Sequence, residues 1–184
     1  GYWKDVGTHG SYWKANMELV DLIPEFNLYE EFWKIYTKQD MLEPQFLSSI
    51  AHIERAIIGA GDQISGDVEN SVLGSGVVIE EGAVVRDSII MKDVHIAKGC
   101  VIEKAILADG TTVGENTKIG VGQEAPSKLN EKVYAFGLAT IGAGSEIPAN
   151  VEIGKNTAIH GKTEISDYPE GVLESGGYII KAGE

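Results

Sequence analysis

The sequence has one cysteine in 184 residues, Cys100, so no internal disulfide can staple the fold and its own core has to hold it. Positive charge is also scarce. Fifteen Lys and Arg stand against 28 Asp and Glu, a formal net charge of -13, which opposes binding to a phosphate backbone or an anionic bilayer surface. The expected partners therefore include no nucleic acid and no membrane. No apolar run approaches the roughly 20 residues that cross a bilayer, and the aromatic start lacks the basic residues and short apolar core of a secretory leader. A reducing, cytoplasmic setting is expected. Position 1 is glycine rather than an initiator methionine, which suggests a cut or processed piece. What is abundant is glycine, 23 residues without a collagen period, the mark of a chain that turns often.

The turns fall in a repeat. SVLGSGVVIEEGAVVRD, SIIMKDVHIAKGCVIEK and AILADGTTVGENTKIG begin at Ser71, Ser88 and Ala105, 17 residues apart each time. Within them large aliphatics recur every six residues with occasional five-residue steps: Leu73, Ile79, Val85, then Ile90, Ile96, Ile102, then Leu107, Val113, Ile119. Six is neither a helical nor a strand period, and it marks a solenoid. Four places after each aliphatic lies a second column of small or β-branched residues, Val68, Val77, Ala83, Val94, Cys100, Thr111 and Thr117, with Asp62 as the exception. The register resumes at Ile141, Ile147, Ile153, Ile159 and Ile165, with Ser145, Val151, Thr157 and Thr163 in the small column.

Three hexads make one coil of three short parallel faces, and coils stack at roughly 4.8 Å through inter-strand hydrogen bonds. Glycine follows many of the large aliphatics, at 59, 74, 114, 120, 142 and 154, where a corner needing an unusual backbone angle would favour it. The spacing resembles the hexapeptide-repeat proteins, and that resemblance implies an all-β fold, a left-handed parallel β-helix. About six coils are expected between Ala56 and Ser166. Residues 121–137, with Pro126 and no inward columns, read as an excursion loop, and Tyr178 to Ile180 as a stretch that adds an edge strand. The organisation is thus 1–20 as the end of another domain, 21–53 as a linker, and 54–184 as the β-helix. LYEEFWKIYTK, inside the linker, fits either an amphipathic helix or an extended segment.

The front of the chain is the most specific part. GYWKDVGT precedes SYWKANMELV, which reads as a helix of two to three turns capped by Ser11. The order of Gly-Tyr-Trp-x-Asp-Val-Gly-Thr, Tyr-Trp-x-Ala-Asn-Met, NLYEEFWKIYT and a hexapeptide β-helix resembles the ADP-glucose pyrophosphorylase (glucose-1-phosphate adenylyltransferase) family. The resemblance covers essentially the whole chain and implies that it is the C-terminal part of such an enzyme. That family forms ADP-glucose and pyrophosphate from ATP and glucose 1-phosphate, the entry to glycogen or starch, and its glycine-rich nucleotide loop has no counterpart here. By resemblance Trp3 matches the sugar-contacting tryptophan. Asp5 matches an acidic ligand of Mg²⁺, as phosphoryl transfer between polyanions requires. The fragment itself is expected to be catalytically inactive and to hold no cofactor. The sequence departs from the family pattern at His9-Gly10.

In the family the β-helix packs on the catalytic domain, contributes to a homo- or heterotetramer and shares sites for phosphorylated effectors. Cations at the corners and tail are the corresponding candidates: Arg86, Lys98, Lys104, Lys118, Lys155, His160, Lys162 and Lys181. Asp109 stands about where the phosphoglycerate-activated branch has a lysine, which implies a different activator. The competing reading for the repeat is a free-standing trimeric acyltransferase or γ-class carbonic anhydrase with functional histidines. His52, His95 and His160 are the histidines available, His95 and His160 are placed to point outward, and the first fifty residues stay unexplained under it. A second competitor is another sugar-nucleotide pyrophosphorylase, of mannose or N-acetylglucosamine type.

Overall fold

The computed structural model describes residues 2–32, 34, 36 and 41–181. Strand pairing is parallel throughout, as a solenoid requires when each strand stacks on the one a full coil earlier. Leu73 pairs with Ile90 and Ile90 with Leu107, the 17-residue spacing of the sequence. Leu107 then pairs with Ile141, twice that spacing, because 121–137 leaves the coil and returns in register.

Three faces result. One stacks Phe46–Leu47, Gln63–Ile64, Val78–Ile79, His95–Ile96, Thr112–Val113 and Glu146–Ile147. The other two share the strands His52–Ile57 and Asp67–Leu73, the second of which turns a corner at Asn70 with a φ of 45°. Both run to the C-terminal end, finishing in Val172–Leu173 and Tyr178–Ile180. The edge strand expected at Tyr178 is therefore present. Strand pairing begins at Phe46, ahead of the boundary expected at 54, so the end of the linker belongs to the first coil.

Both inward columns are real. Ile79, Val85, Ile90, Ile96, Ile102, Leu107, Ile119, Ile141 and Ile153 are buried in one continuous core with Val68, Val77, Ala83, Val94 and Cys100. Threonine can occupy the small column because its hydroxyl meets a neighbouring carbonyl: Thr117 Oγ1 donates to Pro148 O at 2.7 Å and Thr111 Oγ1 to Ala108 O at 2.8 Å. Ile165 is the exception. It is exposed, on a 3₁₀ turn Ile165–Asp167, and Tyr168 enters the core instead, its hydroxyl 2.8 Å from Thr163 Oγ1. A ring that fills the last coil and keeps its hydroxyl bonded closes the end better than a second isoleucine.

Glycine at the corners works differently from the expectation. Of the six positions after the aliphatics, Gly120 alone has a positive φ. At Gly114 the reason is crowding, since a Cβ there would lie 2.5 Å from the amide nitrogen of Ala149 on the next coil. The left-handed angles fall elsewhere in the hexads, for example at Gly110 with a φ of 69°.

Helix α1 spans His9–Met17. Its N-cap is Thr8, not Ser11. Thr8 has extended backbone and accepts the Ser11 N–H at 3.1 Å, while Ser11 Oγ accepts the Thr8 N–H at 3.1 Å, a reciprocal cap that puts Ser11 inside the first turn. The helix lies on the outside of the solenoid, where Met17, Trp13 and Tyr12 cover Val72, Ile89 and Ile106, joined by Leu138. Between α1 and Phe46 the described residues contain one 3₁₀ turn, Glu18–Val20, and no longer helix. Trp33, Ile35, Thr37 and Lys38 of LYEEFWKIYTK lie outside the described residues.

Candidate functional site

The GYWKDVGT segment runs directly into the α1 cap, so its placement follows from that of the helix. Asp5 Oδ1 accepts the Gly7 N–H at 2.9 Å, an Asx turn that aims the chain into Thr8. Lys4 pairs with Glu18 at the far end of the helix, which raises the Lys4 pKa. Tyr2 stacks on Phe26 with ring centroids 5.2 Å apart. Trp3, by contrast, is 83% exposed. Asp5 is exposed too, with Oδ2 free of any hydrogen bond among the described residues.

One free carboxylate oxygen can serve a Mg²⁺ ion as a single ligand, well short of the six that octahedral coordination asks for. Among the described residues no group of three or more His, Cys, Asp or Glu side chains is placed to hold a metal. The residues present do not complete a Mg²⁺ site.

The eight corner and tail cations do not converge. Arg86 lies between Glu69 and Glu103, at 3.4 and 3.5 Å, and Lys98 is 3.6 Å from Glu115. Lys118 meets Glu152 at 2.7 Å, Lys162 meets Glu146 at 2.9 Å and Lys181 meets Asp167 at 2.6 Å. Except for the Lys181 pair, whose Asp167 lies on a 3₁₀ turn, these ladders arise because the coils stack like positions above one another, so charges of opposite sign in successive repeats become neighbours. Asp167 is held below the usual carboxylate range by the Glu164 N–H and then by Lys181. The ammonium of Lys104 sits over two rings, 4.6 Å from the Phe136 centroid and 5.4 Å from that of Trp13. For Lys155 and His160 no ion pair is found among the described residues. His95 points outward as expected, with Nε2 at 2.7 Å from Glu80 Oε1, and that contact lowers the Glu80 pKa. Among the described residues His52, His95 and His160 belong to no group of three or more His, Cys, Asp or Glu side chains placed to hold a metal within this chain.

Clefts border the excursion loop on both sides. One of about 610 Å³ lies between its first residues and the last coil, and its lining includes Lys118, Glu152, Glu174 and Ser175. A second of about 560 Å³ beside the C-terminal strands includes Lys128, Glu170 and Glu174. A third of about 360 Å³ opens between α1 and residues 132–136 and is lined by Lys14 and Lys132 without any acidic residue. Neither lysine stands among the candidates drawn from the sequence. The repeat directed attention to the corners, and no local signal reveals that a loop will fold back onto a helix more than a hundred residues upstream.

Comparison with known proteins agrees with this picture. The model of the family described as GlmU-like, C-terminal hexapeptide, matches residues 47–141. Over all 184 residues the chain is 69% identical to the glucose-1-phosphate adenylyltransferase of Lachnospira eligens and 49% identical to that of Thermotoga neapolitana, spanning 44% of each relative's length. The similarity to the enzyme so named in Acetivibrio thermocellus is 36% over the same 184 residues and 43% of that protein. The chain thus spans less than half the length of these relatives.

Proposed function

Because the chain belongs to the family of GlmU-like C-terminal hexapeptide domains, we propose that it is the β-helical regulatory and assembly region of a glucose-1-phosphate adenylyltransferase. The observation that carries this reading is 69% identity over all 184 residues of the chain to a relative of that name and more than twice its length. The reaction proposed for the full-length protein joins the nucleotidyl group of ATP to glucose 1-phosphate, giving ADP-glucose and pyrophosphate for glycogen or starch synthesis in the cytoplasm.

In that protein Trp3 is the proposed sugar contact and Asp5 one Mg²⁺ ligand, and a bound Mg²⁺ would neutralise charge on the reacting phosphates. The exposure of both side chains supports the idea that their other partners lie on a catalytic domain. This chain's part is to orient them. The Asx turn at Asp5, the Thr8 cap and the docking of α1 tie the segment to the solenoid, so a shift of the β-helix relative to the catalytic domain moves Asp5. The proposed partners are that domain, the other subunits of a tetramer and phosphorylated effectors, for which Lys104, Lys155 and His160 are the candidate cations that make no ion pair among the described residues.

The test compares this chain with the full-length protein in an assay of pyrophosphate release. The full-length protein should use ATP with glucose 1-phosphate and the chain alone should give no product. Preference for another nucleotide, or for mannose 1-phosphate or N-acetylglucosamine 1-phosphate, would move the assignment to a different pyrophosphorylase. Acyl transfer from acetyl-CoA by the chain alone would replace it.

A further inference from the structure

We propose that Lys104 is a positioning residue, a cation–π clamp through which the 121–137 loop fixes the placement of α1 and, with it, of Trp3 and Asp5. The clamp stands on the geometry of the loop, and its effect on those two side chains rests on the proposed function. Three elements meet at Lys104. Its main chain turns a solenoid corner with a φ of 44°, and its carbonyl accepts the N–H of Ala139, the first residue of the strand by which the chain re-enters the coil. Its side chain carries the ammonium over the Trp13 ring of α1 and the Phe136 ring of the loop, whose centroids lie 5.8 Å apart. A cation so placed is attracted by the negative ring faces, and more strongly where water is partly excluded.

Phe136 shows how closely this contact is specified. It keeps a φ of 68°, a left-handed conformation uncommon for a bulky residue, and such a conformation persists where the surroundings over-determine it. The departure of the sequence at His9-Gly10 finds its reason in the same place. The His9 ring lies 5.4 Å from that of Tyr134, and a Cβ at Gly10 would already stand 3.4 Å from Phe136 Cγ, so the glycine lets the ring rest on the helix backbone. Gly137 likewise leaves room, since a Cβ there would lie 3.3 Å from both Lys104 Nζ and a Glu124 carboxylate oxygen. The loop can hold a position because its base is fastened. Asn156, buried in the coil, gives its whole amide to the two ends of the loop: Oδ1 accepts the Gly137 N–H at 2.7 Å, while Nδ2 donates to Ala125 O at 2.9 Å and Glu124 Oε1 at 3.2 Å. Among the described residues Asn156 makes no hydrogen bond to α1, so its influence on the helix passes through the loop.

Amide exchange over residues 9–17 of this chain reads the clamp. Lys104→Met keeps the length of the side chain without its charge, Lys104→Arg keeps the charge, and Asn156→Gly removes the fastener while tolerating the φ of 54° at that corner. Lys104→Met should speed exchange of α1 roughly fivefold, the loss of one partly desolvated cation–π contact. Lys104→Arg should keep it slow, and Asn156→Gly should speed it from a distance. Exchange at Ile96 and Ile102 should stay slow in all three, which checks that the solenoid is folded.

In the full-length protein, pyrophosphate release reads the positioning. For Lys104→Met the concentrations of Mg²⁺ and glucose 1-phosphate that give half the maximal rate should both rise roughly fivefold, and for Lys104→Arg they should match the wild type. A merely structural role lowers the amount of active protein, and so the maximal rate, and leaves both concentrations unmoved. Unchanged α1 exchange in Lys104→Met, or exchange that Lys104→Arg speeds equally, overturns the clamp. Faster exchange with unmoved half-saturation overturns the positioning. A full-length wild type that releases no pyrophosphate from ATP and glucose 1-phosphate fails the proposed function instead, while the exchange measurement, which needs no substrate, still decides the clamp.

Discussion

Trp13 donates its indole N–H to the main-chain carbonyl of Asp87 at 2.6 Å, across 74 residues of sequence. Asp87 sits at a corner of the solenoid with a φ of 49°, where its carbonyl is turned outward and free to accept. The bond therefore pins α1 to one level of the stack, while Met17 and Tyr12 supply apolar contact with Val72, Ile89 and Ile106.

Removing that pin should free the helix without unfolding the coils. Trp13→Ala is expected to cost about 1–3 kcal/mol of docking free energy, and Trp13→Phe about 1 kcal/mol because the ring remains. Amide hydrogen exchange checks this. Protection should fall over residues 9–17 and persist at Ile96 and Ile102. Loss of protection throughout would show that the helix and the solenoid fold as one unit.

The two kinds of glycine corner predict different penalties. Gly110 has a φ of 69° and open space around its missing Cβ, so Gly110→Ala should cost about 1–2 kcal/mol of backbone strain. Gly114 has ordinary backbone, yet its Cβ would lie 2.5 Å from the Ala149 amide, so Gly114→Ala must push two coils apart. Urea denaturation should show the larger loss for Gly114→Ala, and equal losses would mean that the stack relaxes around a methyl group.

Asp62 takes the place of a small hydrophobe in the first complete coil and is fully buried. Its carboxylate accepts the N–H groups of Gly59 and Val77, each at 2.8 Å, yet burial outweighs these bonds and pushes its pKa up from 3.8 to about 6. A raised folded-state value means that the protonated form is favoured by folding. The stabilisation is complete below about pH 3.8 and lost as the pH rises through about 6, an effect on the order of 2–3 kcal/mol. The difference in stability between the wild type and Asp62→Asn, followed by urea denaturation from pH 4 to 7, should narrow across this window. A constant difference would show that the two amide bonds hold the group ionised.

Ile96 and Ile165 occupy equivalent places in the hexad pattern and opposite places in the molecule. Ile96→Ala empties a site in the middle of the core and should cost about 2–5 kcal/mol, whereas Ile165→Ala on its exposed turn should cost less than about 0.5 kcal/mol. Tyr168→Phe, which removes a hydroxyl from Thr163, should fall between them at about 1 kcal/mol.

The β-helix was legible from the residues because its interior is periodic: a side chain that stacks on its own repeat has to be aliphatic at one place and small at another, and Leu73, Ile90 and Leu107 record that demand in one dimension. Even the two departures were visible, Asp62 as a break in the small column and 121–137 as a break in the register. The sequence by itself thus determined the solenoid, its inward columns and the order of its segments. Only the tertiary structure decided that Thr8 rather than Ser11 caps the helix, that Tyr168 replaces Ile165 in the last coil, and that Lys104 lies over Trp13 and Phe136 instead of facing solvent as a free cation. It alone brought Lys14 and Lys132 to one cleft. These are contacts between elements that no repeat relates. They depend on where a loop and a helix land on the outer surface, and a single chain carries no period from which that landing can be read.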